Sequence, residues 1–128
     1  MRVLVDSHAF VWALLNDHRL SARAKQVIRS DEHELFFSLA SLWELGLKIS
    51  TGKLRTLGSS IAYVHDELVA YGINILPIRY EDFLRMELLP MHHRDPFDRL
   101  LIAQALENGL TMLTEDAEFK DYGVKIIW

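Results

Sequence analysis

Cysteine is absent from the 128 residues. That excludes disulfides and thiolate metal sites, and it fits a reducing compartment. No apolar run approaches the ~20 residues needed to span a bilayer. No basic segment with a following apolar stretch precedes Val3-Leu4-Val5, so no signal peptide is expected and the chain is read as cytoplasmic, without a membrane partner. An excess of positive charge is also lacking, since the formal net charge is -4. Bulk electrostatic binding of nucleic acid usually needs a basic protein, so any such binding here requires a local basic patch or bridging cations. There is no glycine-rich phosphate loop and no serine-centred nucleophile motif.

What remains is an ordinary globular composition, 50% apolar and 25% charged. It suffices for one domain with a real core. Short apolar runs alternate with helical stretches. Strands are expected at Val3–Val5, Leu35–Phe37, Ile73–Ile78, Leu110–Thr114 and Val124–Ile127. Between them the pattern predicts helices over Ala9–Leu15, Ala22–Arg29, Ser41–Ile49, a stretch opened by Leu57-Gly58-Ser59-Ser60 and running to Tyr71, and Tyr80–Leu88. Gly46 inside the third helix costs about 1 kcal/mol relative to alanine, which suggests a packing reason for it. Asp95-Pro96 is a strong helix start, with Asp95 as N-cap and Pro96 at N1. Leu101, Ile102, Ala105 and Leu106 then form an apolar stripe that ends at Asn108-Gly109. Fully apolar strands alternating with helices imply an α/β fold, a mainly parallel sheet of about five short strands flanked by helices on both faces.

In such sheets ligands bind beyond the carboxyl ends of the strands. Asp6 directly follows the first strand, Asp116 follows the fourth by two residues, and Glu44 lies in the helix after the second. These acids are expected at one edge. Asp98 is harder to place, because a helix running antiparallel into the fourth strand is taken to begin at the opposite edge. Clustered carboxylates repel one another and call for Mg²⁺ or Mn²⁺, hard ions that suit phosphate substrates. Such a site supports hydrolytic phosphoryl transfer.

Each acid also has a purely structural reading. Asp6 caps the next helix. Glu44 pairs with Lys48 four residues on. Asp98, at N3, completes a capping box. Asp116 forms a turn, and Glu115 or Glu118 then takes its place. Only the joint arrangement favours chemistry.

With these residues laid out, the chain resembles the PIN-domain family, specifically VapC-like toxin ribonucleases of toxin–antitoxin pairs. The pieces that carry the resemblance are LVDSHAFVWALL around Asp6, SLASLWELGLKISTGKL around Glu44, HHRDPFDRLLIAQALENGL around Asp98 and TEDAEF around Asp116. The resemblance implies a metal-dependent endoribonuclease using one or two Mg²⁺ (or Mn²⁺) ions, with Asp6, Glu44, Asp98 and Asp116 as its acidic quartet. It puts Thr114 at the family's hydroxyl position and His8 at its polar position after the first acid. His8 there either orients a water or phosphate or caps a helix. Asp95 stays a helix cap, and Glu118 is a further acid behind the quartet. The family further implies an RNA substrate, a homodimer and a cognate antitoxin that blocks the acidic groove.

Basic residues cluster in two places, Lys48, Lys53 and Arg55 near the end of the third helix, and His92, His93, Arg94 and Arg99 around the start of the Asp98 helix. Lys48, Arg94 and Arg99 are the candidate contacts to an RNA backbone, against the alternative of a solvated charged face. Phe10, Trp12, Trp43 and Phe97 are read as core or dimer contacts. Two other functions compete. A metal-dependent phosphatase or phosphotransferase also begins with Asp after strand one, but wants a second Asp where this chain has His8. A catalytically silent PIN-like binding module conflicts with the intact quartet.

Overall fold

The computed structural model describes residues 1–54 and 60–128. Five strands form one sheet: β1 (Arg2–Val5), β2 (Glu34–Ser38), β3 (Asn74–Leu76), β4 (Thr111–Leu113) and β5 (Ile126–Ile127). Their order across the sheet is β3-β2-β1-β4-β5, and every pairing is parallel. The α-helices are α1 (Ser7–Leu14), α2 (Ala22–Arg29), α3 (Leu39–Ser50), α4 (Ile61–Ala70), α5 (Tyr80–Leu88) and α6 (Pro96–Asn108). A 3-10 helix (Ala117–Tyr122) links β4 to β5.

β1 is the middle strand, and Val3, Leu4 and Val5 are wholly buried. The period of two along the strand divides them between the sheet's faces. Val3 and Val5 pack with α1, α2, α3 and α4 through Phe10, Ala24, Leu45 and Val64. Leu4 packs on the other side with Leu101 and Ile102 of α6 and with Phe119. Helices therefore cover both faces, as the uninterrupted apolar strands imply.

Local chemistry sets the helix starts. Ser21 Oγ accepts from the Ala24 N–H at 3.0 Å, Ser38 Oγ from Ala40 at 3.0 Å and Ser60 Oγ from Ala62 at 3.1 Å. Each satisfies an otherwise orphaned donor. Asp95 caps α6 through the Phe97 and Asp98 N–H groups at 2.8 and 3.1 Å, with Pro96 at N1, and Gly109 closes it at φ 62°. The expected opening of the fourth helix at Leu57-Gly58-Ser59, like Arg55, lies outside the described residues. The third and fifth strands are shorter than their apolar runs. The expected packing reason for Gly46 is not found among the described residues, where a Cβ at that position would meet nothing within 4 Å.

The order of the strands creates the site. From β1 the chain winds outward to β2 and β3, then returns to β4 on the other side of β1. A crevice opens at the carboxyl edge where the direction reverses.

Candidate functional site

Asp6 stands at this crevice, 7% exposed. It occupies the N-cap position of α1, yet its side chain makes no cap hydrogen bond. Instead Oδ2 accepts from Thr114 Oγ1 at 2.9 Å. Ser7 Oγ lies 3.4 Å from Asp6 Oδ1 and donates to Glu44 Oε1 at 2.9 Å. A hydroxyl thus stitches two carboxylates from different helices, and a second hydroxyl anchors the pair to β4. Burial pushes the Asp6 carboxyl above its ordinary value, further than the Thr114 hydrogen bond lowers it. Glu44 also keeps its ion pair, with Lys48 Nζ 3.3 Å from Oε2.

Asp98 and Asp116 form the other half. Asp98 does not complete a capping box, because the Asp95 N–H donates to His93 Nδ1 at 3.3 Å. Its side chain faces the crevice and lies 3.3 Å from His93 Nε2. Asp116 does act as a turn former, since Oδ1 accepts from the Glu118 N–H at 2.9 Å. Its other oxygen lies 3.2 Å from the same His93 Nε2. Glu118 Oε2 is 3.5 Å from that nitrogen. The ligand-capable atoms of His93, Asp98 and Asp116 all lie within 4.8 Å of one another.

The placement of Asp98 corrects the sequence reading. Arg2 Nη1, at the amino end of β1, donates to the Asn108 carbonyl at the end of α6 at 2.9 Å. The C-terminus of α6 is therefore at the amino edge of the sheet. A helix antiparallel to the strand it precedes must begin at the carboxyl edge, so ordinary topology brings Asp98 to Asp6. Burial raises the Asp98 carboxyl to about 7, with further upward pressure from Asp95, Asp6 and Glu44 that His93 only partly offsets. For His93, burial pulls down but is outweighed by the Asp116 hydrogen bond and by the charges of Asp98, Asp116 and Glu118, so its pKa lies above the ordinary value.

Asp6, Asp98 and Asp116 line a cavity of about 610 Å³ together with His8, Arg19 and Glu118. His8 is exposed at its mouth. A neighbouring cavity of about 250 Å³ shares His8 and Arg19 and reaches Lys48. Arg19 lies in the turn after α1. Its guanidinium stacks on Trp12 at 4.8 Å and binds Asp17 at 2.8 and 3.1 Å.

The basic candidates separate. Arg94 is exposed, Lys53 is exposed and Lys48 is half-buried. Arg99 is 8% exposed, and its guanidinium donates to the carbonyls of Pro90, Met86, Leu89 and His93. It is corrected from a rim contact to an internal clamp, because the side chain is buried and both terminal nitrogens are turned onto backbone carbonyls. Sequence reasoning also missed Ser7, Arg19 and the approach of His93 to the acids. Ser7 directly follows Asp6 and was legible as a neighbour. The other two depend on contacts between distant segments. Phe10 and Trp12 are buried as expected, whereas Trp43 is 60% exposed and lies edge-on to Phe97 at 5.0 Å.

No curated protein matches the sequence. Solved structures do. VapBC2 from Rickettsia felis, crystallised with a DNA fragment from its promoter, gives a TM-score of 0.76 at 14% identity, over 99% of this chain and 98% of the other. FitAcB from Neisseria gonorrhoeae gives 0.69 at 18% identity, over 98% and 96%. VapC20 from Mycobacterium tuberculosis, described as a toxin that cleaves the sarcin-ricin loop, gives 0.66 at 18%, over 95% of each chain. These likenesses establish the fold, and the model of one family, the PIN domain, matches residues 3–125. The five-stranded parallel sheet, the crevice beside β1 and that match together make this chain a member of the PIN domain family.

Proposed function

We propose that the chain is an Mg²⁺- or Mn²⁺-dependent endoribonuclease and the toxin of a toxin–antitoxin pair. The observation that carries this is the convergence of Asp6, Asp98 and Asp116 on one cavity, with Glu44 joined to Asp6 through Ser7. The donor set fits a hard divalent ion. It is rich in carboxylate oxygen, and Asp98 is raised to about 7 in a cluster with more negative charge than one imidazole offsets. Asp6, Glu44, Asp98 and Asp116 would hold the ion. Bound there, it would supply charge neutralisation at a phosphodiester and an acidified water for hydrolysis.

The protein's own groups do the rest. Ser7 and Thr114 keep the Asp6 and Glu44 oxygens oriented. His8 at the mouth is placed to meet a phosphate or water. Lys48, paired with Glu44, and the exposed Arg94, just before the start of α6, are the proposed contacts to the RNA backbone. The neighbouring cavity that ends at Lys48 offers the strand a path away from the acids.

A cognate antitoxin and a homodimer belong to the same reading. The antitoxin draws support from a similar fold solved as a toxin–antitoxin complex, and both partners from two exposed apolar stripes. One is Leu39, Trp43 and Leu47 on α3, the other Tyr80, Leu84 and Leu88 on α5. Contiguous apolar surface of this kind marks interaction sites. No helix among the described residues is long and apolar enough to cross a membrane.

The test is RNA cleavage by purified protein, freed of any antitoxin, in Mg²⁺, in Mn²⁺ and in chelator, beside Asp6→Asn and Asp98→Asn. Cleavage is expected only for the parent with metal. Cleavage surviving in chelator or in both variants would refute the assignment. An ion-binding protein that cuts no RNA would instead support the silent binding module.

A further inference from the structure

His93 sits between two acids that belong to different elements, Asp98 on α6 and Asp116 at the start of the 3-10 helix. It lies in the segment joining α5 to α6, and that segment is held from several directions. The His93 N–H donates to Tyr122 Oη at 2.6 Å. Its carbonyl accepts from Arg99 Nη1 at 3.4 Å, and the same nitrogen donates to Pro90 at 3.0 Å. Arg99 Nη1 also lies 3.5 Å from Tyr122 Oη, so the buried guanidinium and the phenol form one clamp. The imidazole stands edge-on to Phe119 at 6.1 Å.

The ring's orientation is set as well. Nδ1 accepts the Asp95 N–H at 3.3 Å, which leaves Nε2 to carry the ring hydrogen. Nε2 faces Asp98 Oδ2 at 3.3 Å and Asp116 Oδ2 at 3.2 Å. Two carboxylates on separate elements repel one another. A single imidazole that donates to Asp116 and stands against Asp98 Oδ2 at 3.3 Å holds them close without an ion.

We propose that His93 is a positioning residue of this site: its Nε2–H donates to Asp116 while the ring stands against Asp98, which keeps both carboxylates assembled for a divalent cation, and the buried Arg99–Tyr122 clamp sets where the ring stands. The inference rests on the reading of these acids as metal ligands. Groups that orient ligands from behind typically matter 10–100-fold in metal affinity. Asp95 thereby gains a second task, since its side chain caps α6 while its backbone N–H selects the histidine tautomer.

The experiment is Mn²⁺ titration of the full chain by calorimetry and by electron paramagnetic resonance. The variants are His93→Ala, His93→Gln, Tyr122→Phe, Asp98→Asn and Asp116→Asn, each checked by metal-free thermal unfolding. His93→Ala should weaken Mn²⁺ binding roughly 10–100-fold. His93→Gln, whose amide can present an N–H at similar reach, should restore most of it. Tyr122→Phe should give a smaller loss with the histidine still present, and it serves as the informative variant if an alanine at 93 fails to fold. Unchanged binding in His93→Ala and Tyr122→Phe, with binding lost in Asp98→Asn, would overturn the role of His93 and leave the site standing. Binding unchanged in Asp98→Asn and Asp116→Asn as well would overturn the site reading itself. Nitrogen hyperfine coupling to bound Mn²⁺ that His93→Ala abolishes and His93→Gln does not restore would make His93 a direct ligand and overturn the positioning role.

Discussion

Asp6 and Glu44 meet inside the core, joined by the Ser7 hydroxyl and anchored by Thr114. Asp98 and Asp116 meet at the rim, on either side of an imidazole delivered by a connecting segment. The first pair is held by hydroxyl groups buried beside the sheet edge, where neighbours cannot relax far. The second pair depends on a segment clamped by Arg99 and Tyr122. Damage to the core pair should therefore register in folding stability. Damage to the rim pair should register in ion binding and in how stability depends on pH.

The largest expected effect treats both pairs alike. Asp6→Asn and Asp98→Asn should each lower RNA cleavage by about 10²–10³-fold or more, the scale for losing a group that stabilises transition-state charge, measured as initial rates in Mn²⁺. A variant from one pair retaining near-parental rates would break the unity of the site.

Proton linkage is the next handle on the rim pair. The folded-state value of about 7 for Asp98 lies above its ordinary 3.8. The folded protein binds that proton more tightly, so the associated stability is full below about pH 4 and is lost as pH rises through 7. The raised His93 acts in the same direction, its contribution fading as pH climbs through its folded value. Metal-free Asp98→Asn should therefore unfold at higher denaturant than the parent at pH 8 by on the order of 2–4 kcal/mol, and the gap should close near pH 4. Urea titrations at both pH values check this, and a gap that does not depend on pH would refute it.

Thr114→Val removes, at nearly constant volume, both the donor to the buried Asp6 carboxylate and the acceptor of the Asp116 N–H at 3.1 Å. Chemical denaturation near neutral pH should give a loss of about 1–3 kcal/mol. A stability unchanged from the parent would mean that this hydroxyl does not hold the acids in place.

The smallest effect concerns the basic residues. Arg94→Ala should reduce the slope of log RNA affinity against log salt by about 1. Arg99→Lys should leave that slope alone while lowering the unfolding temperature, because one ammonium cannot reach the carbonyls that the guanidinium fork reaches. Equal slopes for Arg94→Ala and the parent would remove Arg94 from the interface.

Much of the fold is legible in the sequence. The all-apolar Val3–Val5 run predicts a buried parallel strand, and Asp95-Pro96 predicts the start of α6. The alternation of strands and helices predicts the sheet. The quartet was legible more unevenly. Asp6 and Asp116 follow strands and are placed by the carboxyl-edge rule. For Asp98 the strand rule is read to the wrong edge and only the resemblance draws it toward Asp6, although correct β-α-β geometry suffices to bring the two to one edge. Arg99 read as a surface cation because its neighbours Asp98 and Arg94 are polar. Its burial follows from contacts with α5 and the segment after it, which no local pattern announces. His93 was grouped with basic residues for the same reason.

What the chain carries locally is what a few residues can enforce: caps from serine and aspartate hydroxyl or carboxylate oxygens, stops at glycine, strand apolarity and helical period. These act over one or two turns and do not depend on the rest of the molecule. The bridge from Thr114 to Asp6 spans 108 positions, that from Ser7 to Glu44 spans 37 and that from His93 to Asp116 spans 23. Such contacts exist because β1 lies between β2 and β4 and because α6 descends from the carboxyl edge. Strand order and packing, which sum weak preferences over the whole core, decide which polar groups face one another there.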